Sequence, residues 1–437
     1  MSVYRSADAV RTYYVYNAAW SFLAALSFTL SAVYYVRDAG LNPLQMVLVG
    51  TTLELACFLF EIPTGIVADL YSRRLSIIIG FALIGAGFLL QGLVPAFLAI
   101  LAAQVLWGVG FTFTSGADQA WITDEIGTER AAPVFVRAQQ FELGGRIVGI
   151  VSAGALGLIS LPLPMAISGA GMILLALMLA VFMREQNFHR TPKHERETFR
   201  QMAETFKSGL DAARRRPVVR TLVIISLISG LASEAFDRLW SVKILNFSFP
   251  TVFGTSDPAF WFTVLALVGT LLSLFTSLVL NRLSPDRLSA THPTGILATL
   301  AMLQVVGICS FALLGNLWLA LAAMWLNTVA GTLAYPIESA WLNRHVDSKS
   351  RATVISMVSQ ANAIGQVVGG PPLGALGRAS LRAALLASGL IWLPIPALYL
   401  KLRATNARRG GPPALTNPAP ADGSPLISTG EAAPERD

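Results

Sequence analysis

Seven stretches of this 437-residue chain contain no Asp, Glu, Lys or Arg: residues 12–36, 75–117, 147–183, 258–281, 288–337, 352–377 and 383–400. A helix crossing about 30 Å of hydrocarbon needs roughly 20 such residues, so several stretches hold two spans each. Charged residues make up only 13% of the chain, against about a quarter in soluble domains. A soluble enzyme, a DNA-binding domain and a disulfide scaffold are excluded on this ground. Cys57 and Cys309 are the only cysteines, each inside an apolar run, so no disulfide or metal framework is expected. The runs are unbroken rather than alternating over about ten residues, which favours helices over a transmembrane barrel.

The pattern predicts an all-α membrane protein with twelve transmembrane helices. Six are expected near 14–36, 44–68, 75–94, 96–117, 133–158 and 163–183, and six near 221–242, 258–281, 291–314, 317–339, 352–376 and 381–401. Turn chemistry separates them at Gly40-Leu41-Asn42-Pro43, Pro95, Leu161-Pro162-Leu163-Pro164, Gly315-Asn316 and Gly377. With the N-terminus placed in the cytoplasm, 26 of the 32 Lys and Arg residues fall on the cytoplasmic side, 4 outside and 2 within helices. The positive-inside rule therefore puts both termini in the cytoplasm of a multi-pass cell-membrane protein. The domains read as a six-helix bundle over 1–183, a basic linker over 184–220, a second bundle over 221–403 and a disordered tail over 404–437. A basic linker can bind nucleic acid, but its place between two sets of six spans favours contact with an anionic inner leaflet.

Sliding the chain by 220 residues aligns it with itself. Asp118-Gln119-Ala120-Trp121 falls on Glu338-Ser339-Ala340-Trp341, Gln140 on Gln360, Gly145 on Gly365 and Gly149 on Gly369. Gly154-Ala155-Leu156-Gly157 then meets Gly374-Ala375-Leu376-Gly377 in the same register. Two pseudo-symmetric six-helix halves, related by an axis along the membrane normal, are the architecture this predicts. Gly145, Gly149, Ala153 and Gly157 recur every four residues and make a smooth ridge, either for static packing or as a sliding surface. Trp121 and Trp341 are expected at the inner interface as anchors.

Between the second and third spans stands Gly65-Ile66-Val67-Ala68-Asp69-Leu70-Tyr71-Ser72-Arg73-Arg74. This resembles the signature loop of the major facilitator superfamily, G-x-x-x-D-x-x-G-R-R, with Ser72 in place of the second glycine. The twelve spans, basic central loop and half-chain repeat are similar to that family over residues 1 to about 402. Two exporter motifs of the family fit poorly: Gln104 stands where a fourth-helix arginine belongs, and Gly145-x-x-x-Gly149 lacks the antiporter proline. Asp69 ends an inward-running helix and can accept from a neighbouring helix N-terminus. Arg73 and Arg74 can reach Asp124 or Glu125. Such pairs are expected to hold the halves together when the cavity faces outward, although a purely topogenic arginine pair is the alternative.

Ionisable groups inside spans are working-site candidates. Glu54 and Glu61 are seven residues apart and share one helix face, about 10 Å apart along the axis. Glu54 lies near mid-membrane, where desolvation favours a neutral carboxyl suited to carrying a proton; a hydrogen-bonded helix contact is the alternative. Glu142 and Arg146 are spaced for a salt bridge, either a lock or a pair that a proton or substrate opens. Glu234 and Arg238 are spaced likewise, leaving Asp237 to attract a cation or to join an outer gate. Asn17, Trp20, Gln139, Gln140, Gln360, Asn362 and Gln366, with Glu234, are the candidate cavity residues. The reading is a monomeric secondary transporter, not an enzyme, without cofactor, metal or nucleic-acid partner. It moves a small organic molecule by alternating access, with proton-coupled efflux of an amphipathic drug or metabolite preferred. Proton-coupled nutrient uptake and a non-transporting receptor or scaffold are the rivals. No Walker-type phosphate loop occurs.

Overall fold

Backbone amides have no water to bond in hydrocarbon, so each span must satisfy its own, and the chain does this with helices. The computed structural model describes residues 2–188, 217–282, 293–345 and 348–408. Its helices are α1 (Ser2–Arg37), α2 (Pro43–Leu70), α3 (Arg73–Leu93), α4 (Phe97–Thr114), α5 (Ala117–Ile126), α6 (Thr128–Gly157) and α7 (Leu163–Phe182). They continue with α8 (Pro217–Leu245), α9 (Pro258–Arg282), α10 (Pro293–Leu313), α11 (Leu317–His345), α12 (Ser348–Ala379), α13 (Leu381–Trp392) and α14 (Pro394–Arg408). Among the described residues no strand forms, only an isolated bridge between Val252 and Thr255. Ten spans are long and apolar enough to cross a membrane by length and composition; α4 with α5 makes one of them, and α13 with α14 another. The other two crossings are α6 and α12, the more polar repeat-related helices, which completes twelve. Residues 189–216 of the basic linker and 409–437 of the tail lie outside the described residues.

Local chemistry sets the helix ends. Asn42 accepts from the Gln45 amide at 3.1 Å while the Gln45 side chain accepts from the Asn42 amide at 3.0 Å, closing a capping box ahead of Pro43. Gly40 supplies the positive φ (63°) that turns the chain into it. Asn316 caps α11 by accepting from Trp318 and Leu319. Several expected boundaries move, three of them at marked positions. The fourth span does not end at 117 but restarts at Ala117 after Gly116 (φ 76°) and runs to Ile126. Gly377 does not break its helix; α12 continues to Ala379, and Ser380 caps α13. Helix α14 extends to Arg408, beyond the expected start of the tail at 404.

Each half is built the same way. α6 lies along α1, and its repeat mate α12 lies along α8; α3 packs on α4 and α7, as α10 packs on α11, α13 and α14. The glycine ridge explains the first pairing. Gly145 and Gly149 seat against the backbone of Ala18 and Phe22 in α1, and Gly365 and Gly369 against the backbone of Leu227 and Leu231 in α8. The repeated Gly-Ala-Leu-Gly block also reaches across to the other half. Gly154 faces Thr263 of α9 and Gly374 faces Val47 of α2, whereas Gly157 and Gly377 meet Leu30 and Leu239 of their own halves first and Ala259 and Pro43 of the other half beyond them. The α2–α12 and α6–α9 contacts exchange under the half-to-half symmetry. Gly145, Gly149, Gly365 and Gly369 therefore pack within a half, Gly154 and Gly374 between the halves, and Gly157 and Gly377 touch both.

Among the described residues the halves share a buried core on one face. One buried cluster crosses between them at the end opposite the termini, joining Leu30, Val33, Tyr34 and Val47 to Ala235, Phe236, Leu239, Ala259 and Phe262. Toward the termini the core divides into one cluster confined to α1–α7 and its flanking Met183, and another confined to α8–α14. The molecule is sealed on its distal face and split on the terminal face. Trp121 and Trp341 are both buried in these clusters rather than lying at an interface, and the Trp121 indole donates to the Arg184 carbonyl at 2.9 Å.

Candidate functional site

A cavity of about 640 Å³ lies in the terminal-face half of the molecule, within the range of small-molecule sites. Its wall comes mostly from the C-terminal half. Ser226 and Ser229 project from α8, Gln304 from α10, Tyr335, Glu338 and Ser339 from α11, Ser359, Asn362 and Gln366 from α12, and Trp392 and Tyr399 from α13 and α14. From the other half Glu54 of α2 reaches the same space. Among the described residues the wall contains two carboxylates and no Lys, Arg or His. Gln366 donates to Asn362 at 2.6 Å, and Asn362 donates to the Ser226 carbonyl at 3.2 Å, so α12 presents a fixed amide pair. The Tyr399 hydroxyl donates to the Glu338 carboxylate. The Trp392 indole nitrogen is buried without an acceptor.

Beyond the cavity, on the distal side, Arg238 bonds Glu234 at 3.1 Å, as their i,i+4 spacing suggested. The pair lies flat against Gly50 of α2, where no side chain could fit. Arg238 also interacts electrostatically with Tyr35 in the N-terminal half. Tyr35 belongs to a buried network: its hydroxyl donates to Gln91 at 2.6 Å, and Gln104 donates to Gln91 at 3.2 Å. Gln104 therefore has a neutral, hydrogen-bonded role at the position where exporters of the resembling family carry arginine. Asp237 is exposed to the interior space and feels Glu234, Arg238 and Glu54. The structure thus gathers Glu54, Glu234, Asp237 and Arg238 around one locus.

Other candidates lie apart from this cavity. Glu142 and Arg146 interact electrostatically but form no ion pair within 4 Å in this conformation, so they are not a closed salt bridge. Asn17 is buried and donates to the Tyr13 carbonyl at 2.8 Å, and Trp20 packs in a tilted arrangement against Phe81 with ring centroids 5.7 Å apart. Gln139 and Gln140 are exposed on α6, and Gln360 reaches Ser356 at 3.4 Å. Glu338, Tyr399, Gln304 and Trp392 were not singled out from the sequence. The repeat carried a signal for one of them, since Glu338 is the mate of Asp118.

In the loop motif, Arg73 pairs with Asp124 and donates to the Ala120 carbonyl at 2.9 Å. This pair joins α3 to α5 inside the N-terminal half and does not bridge the halves in this conformation. Arg74 does not reach an acid through its side chain; its guanidinium donates to the Ala180 carbonyl, and its amide donates to Glu185 at 3.1 Å. Glu185 also accepts from the Ser72 hydroxyl at 2.5 Å, and Glu125 accepts from the amides of Gln186 and Asn187 at 2.7 and 3.0 Å. Asp69 makes no hydrogen bond to any described residue, and Gly65 has open space beside it.

Residues 14–370 match the profile of the Major Facilitator Superfamily. The uncharacterized MFS-type transporter YxaM of Bacillus subtilis (strain 168) is 23% identical over 369 residues, which are 83% of this chain and 88% of that protein. The crystal structure of the nucleoside transporter NupG superposes with a TM-score of 0.69 at 14% identity, over 91% of this chain and 98% of that one. A peptide transporter, POT, in complex with sulfate gives 0.69 at 13% identity, over 93% and 98%. A bacterial homolog of the human lysosomal transporter Spinster, inward-facing and unoccupied, gives 0.66 at 16% identity, over 93% and 98%.

Proposed function

The chain belongs to the Major Facilitator Superfamily, and from that premise we propose that it exports a small amphipathic drug or metabolite in exchange for protons. One observation carries this reading: a cavity on the split face places a carboxylate of one half, Glu54, against a neutral polar and aromatic wall of the other. A group shared by both halves senses their relative position, as coupling by alternating access requires. With the termini in the cytoplasm, as the Lys and Arg distribution implies, this is an inward-open state and the distal seal is the outer gate. The halves then span residues 1–183 and 221–403, with the basic segment 184–220 as the cytoplasmic tether.

In the transport cycle the two small-residue seams, α2–α12 and α6–α9, would part on the outer side while the inner ends close. Glu54, with Asp237 and the Glu234–Arg238 pair beside it, is the proposed proton-coupling group; Glu142 and Arg146 are proposed to pair in another state. Asp69, without a hydrogen bond here, and the Arg73–Asp124 unit would meet the other half once the inner side closes. The experiment is growth of a drug-sensitive host expressing the chain against a panel of toxic amphipathic compounds. Resistance is expected, and its loss in Glu54→Gln at unchanged expression is expected with it; resistance that survives Glu54→Gln overturns the coupling assignment. Proton-coupled uptake is the second reading, supported by the nucleoside and peptide transporters that share this fold. Vesicles under opposite imposed pH gradients separate the two directions.

A further inference from the structure

We infer that the cavity selects an aromatic organic cation, with its ammonium held between Glu338 of the C-terminal half and Glu54 of the N-terminal half; the inference rests on the transport reading above and names the substrate class. Two carboxylates face one space, and among the described residues its wall contributes no basic side chain. Glu54 makes no hydrogen bond to a described residue, and beyond the wall it feels Glu234, Asp237 and Arg238. There the lone guanidinium is already engaged by Glu234. Among the described residues acids therefore outnumber bases around the locus, and a charge left uncompensated in a low-dielectric site is costly. A cation that brings its own positive charge offsets that cost, whereas an anion would add to it.

The wall also specifies the rest of the molecule. The Tyr399 hydroxyl interacts with the Glu338 carboxyl, leaving further acceptor positions for a ligand. Tyr335 is 76% exposed beside it, and Trp392 offers a second aromatic surface; such rings attract cations through their faces. Ser226, Ser229 and Ser359 complete a neutral polar side.

The test uses the purified full chain in lipid nanodiscs and three probes with one aromatic body: 1-naphthylmethylammonium, 1-naphthylmethanol and 1-naphthoate, titrated by calorimetry. The ammonium is expected to bind at least about tenfold more tightly than either relative, as charge-assisted contacts require. Glu338→Gln and Glu54→Gln are each expected to cost about tenfold in ammonium affinity while leaving the alcohol unchanged. Glu338→Asp is expected to keep most of the preference, and unchanged melting curves exclude misfolding. Equal binding of the alcohol or naphthoate, an unaltered preference in both carboxamide variants, or no binding of any probe overturns the inference. Because binding is read without flux, cation selectivity without drug resistance would sink the export reading alone. Resistance to neutral compounds with no ammonium preference would sink this one alone.

Discussion

Gly374→Val asks whether the repeated glycine block holds the halves together. A Cβ at Gly374 would lie 3.0 Å from Val47 Cβ and 3.4 Å from Leu44 Cα, and valine adds two further methyls to the same occupied space. Both neighbours belong to α2, across the seam, so the clash exists only while the distal face is sealed. Overpacking of this kind costs about 1–3 kcal/mol, and at about 1.4 kcal/mol per decade that shifts the balance between sealed and parted forms by roughly 5- to 150-fold. Gly369→Val is the matched comparison on the same helix. It meets the backbone of Leu231 in its own half, so it strains both forms alike and lowers the melting temperature without moving the balance. The assay is a spin-label distance measurement between Asp38 and Ser380, two distal-face positions, in a background with Cys57 and Cys309 replaced by Ala. Gly374→Val is expected to add a long-distance population that Gly369→Val does not. An unchanged distribution for Gly374→Val, in protein that melts like the parent, refutes the assignment of this seam.

Glu234→Gln leaves Arg238 against Gly50 without its carboxylate. A fully buried pair broken on one side loses about 3–5 kcal/mol, and the 29% exposure of the Arg238 side chain places the expected loss below that range, read as a lowered melting temperature together with a longer Asp38–Ser380 distance. Asp69→Asn removes nothing that this conformation uses, so no loss of melting temperature is expected here. Any stabilisation it gave the opposite conformation disappears, and the distal distance is expected to narrow toward the sealed form; a widened distance counts against the gating role. Asn42→Ala removes one side of the capping box at the start of α2 and is expected to cost about 0.5–2 kcal/mol, measured by chemical denaturation in detergent; no loss means the cap is replaced by solvent.

The fold was legible in the sequence because its strongest determinants are one-dimensional. Charge-free length fixes spans, Asn42-Pro43 and Gly315-Asn316 fix breaks, and a register of 220 residues fixes the pairing of halves. The site was less legible because its wall is assembled across seven helices. Asn362 and Gln366 were visible as polar residues in an apolar run, and Glu54 as a charge at mid-span. Tyr399 and Trp392 were not, since an aromatic residue in a span reads equally as core, and only tertiary placement turns Trp392 toward the cavity. Trp121 misled for the same reason: an aromatic near a span end reads as an interfacial anchor, yet its indole is buried on the Arg184 carbonyl. Side-chain reach also escaped the pattern, since spacing allowed Glu142 to meet Arg146 and the helix does not bring them together in this state.

The two halves began from one pattern and diverge at the acid that matters most. Gly116 and Pro336 occupy equivalent positions two residues ahead of Asp118 and Glu338. Gly116 takes a left-handed conformation and ends α4, so Asp118 falls in the first turn of α5 and accepts from the Gln119 amide at 2.7 Å. An anion at a helix N-terminus is stabilised by the free amides and the dipole there. Pro336 has the φ of a helix and α11 runs on through it, which leaves Glu338 in a helix interior with no free amide to bond. Its charge must be met from elsewhere, and the Tyr399 hydroxyl meets only part of it. A glycine in one half thus gives its acid a local amide partner, whereas a proline in the other leaves the equivalent acid in a helix interior lining the cavity.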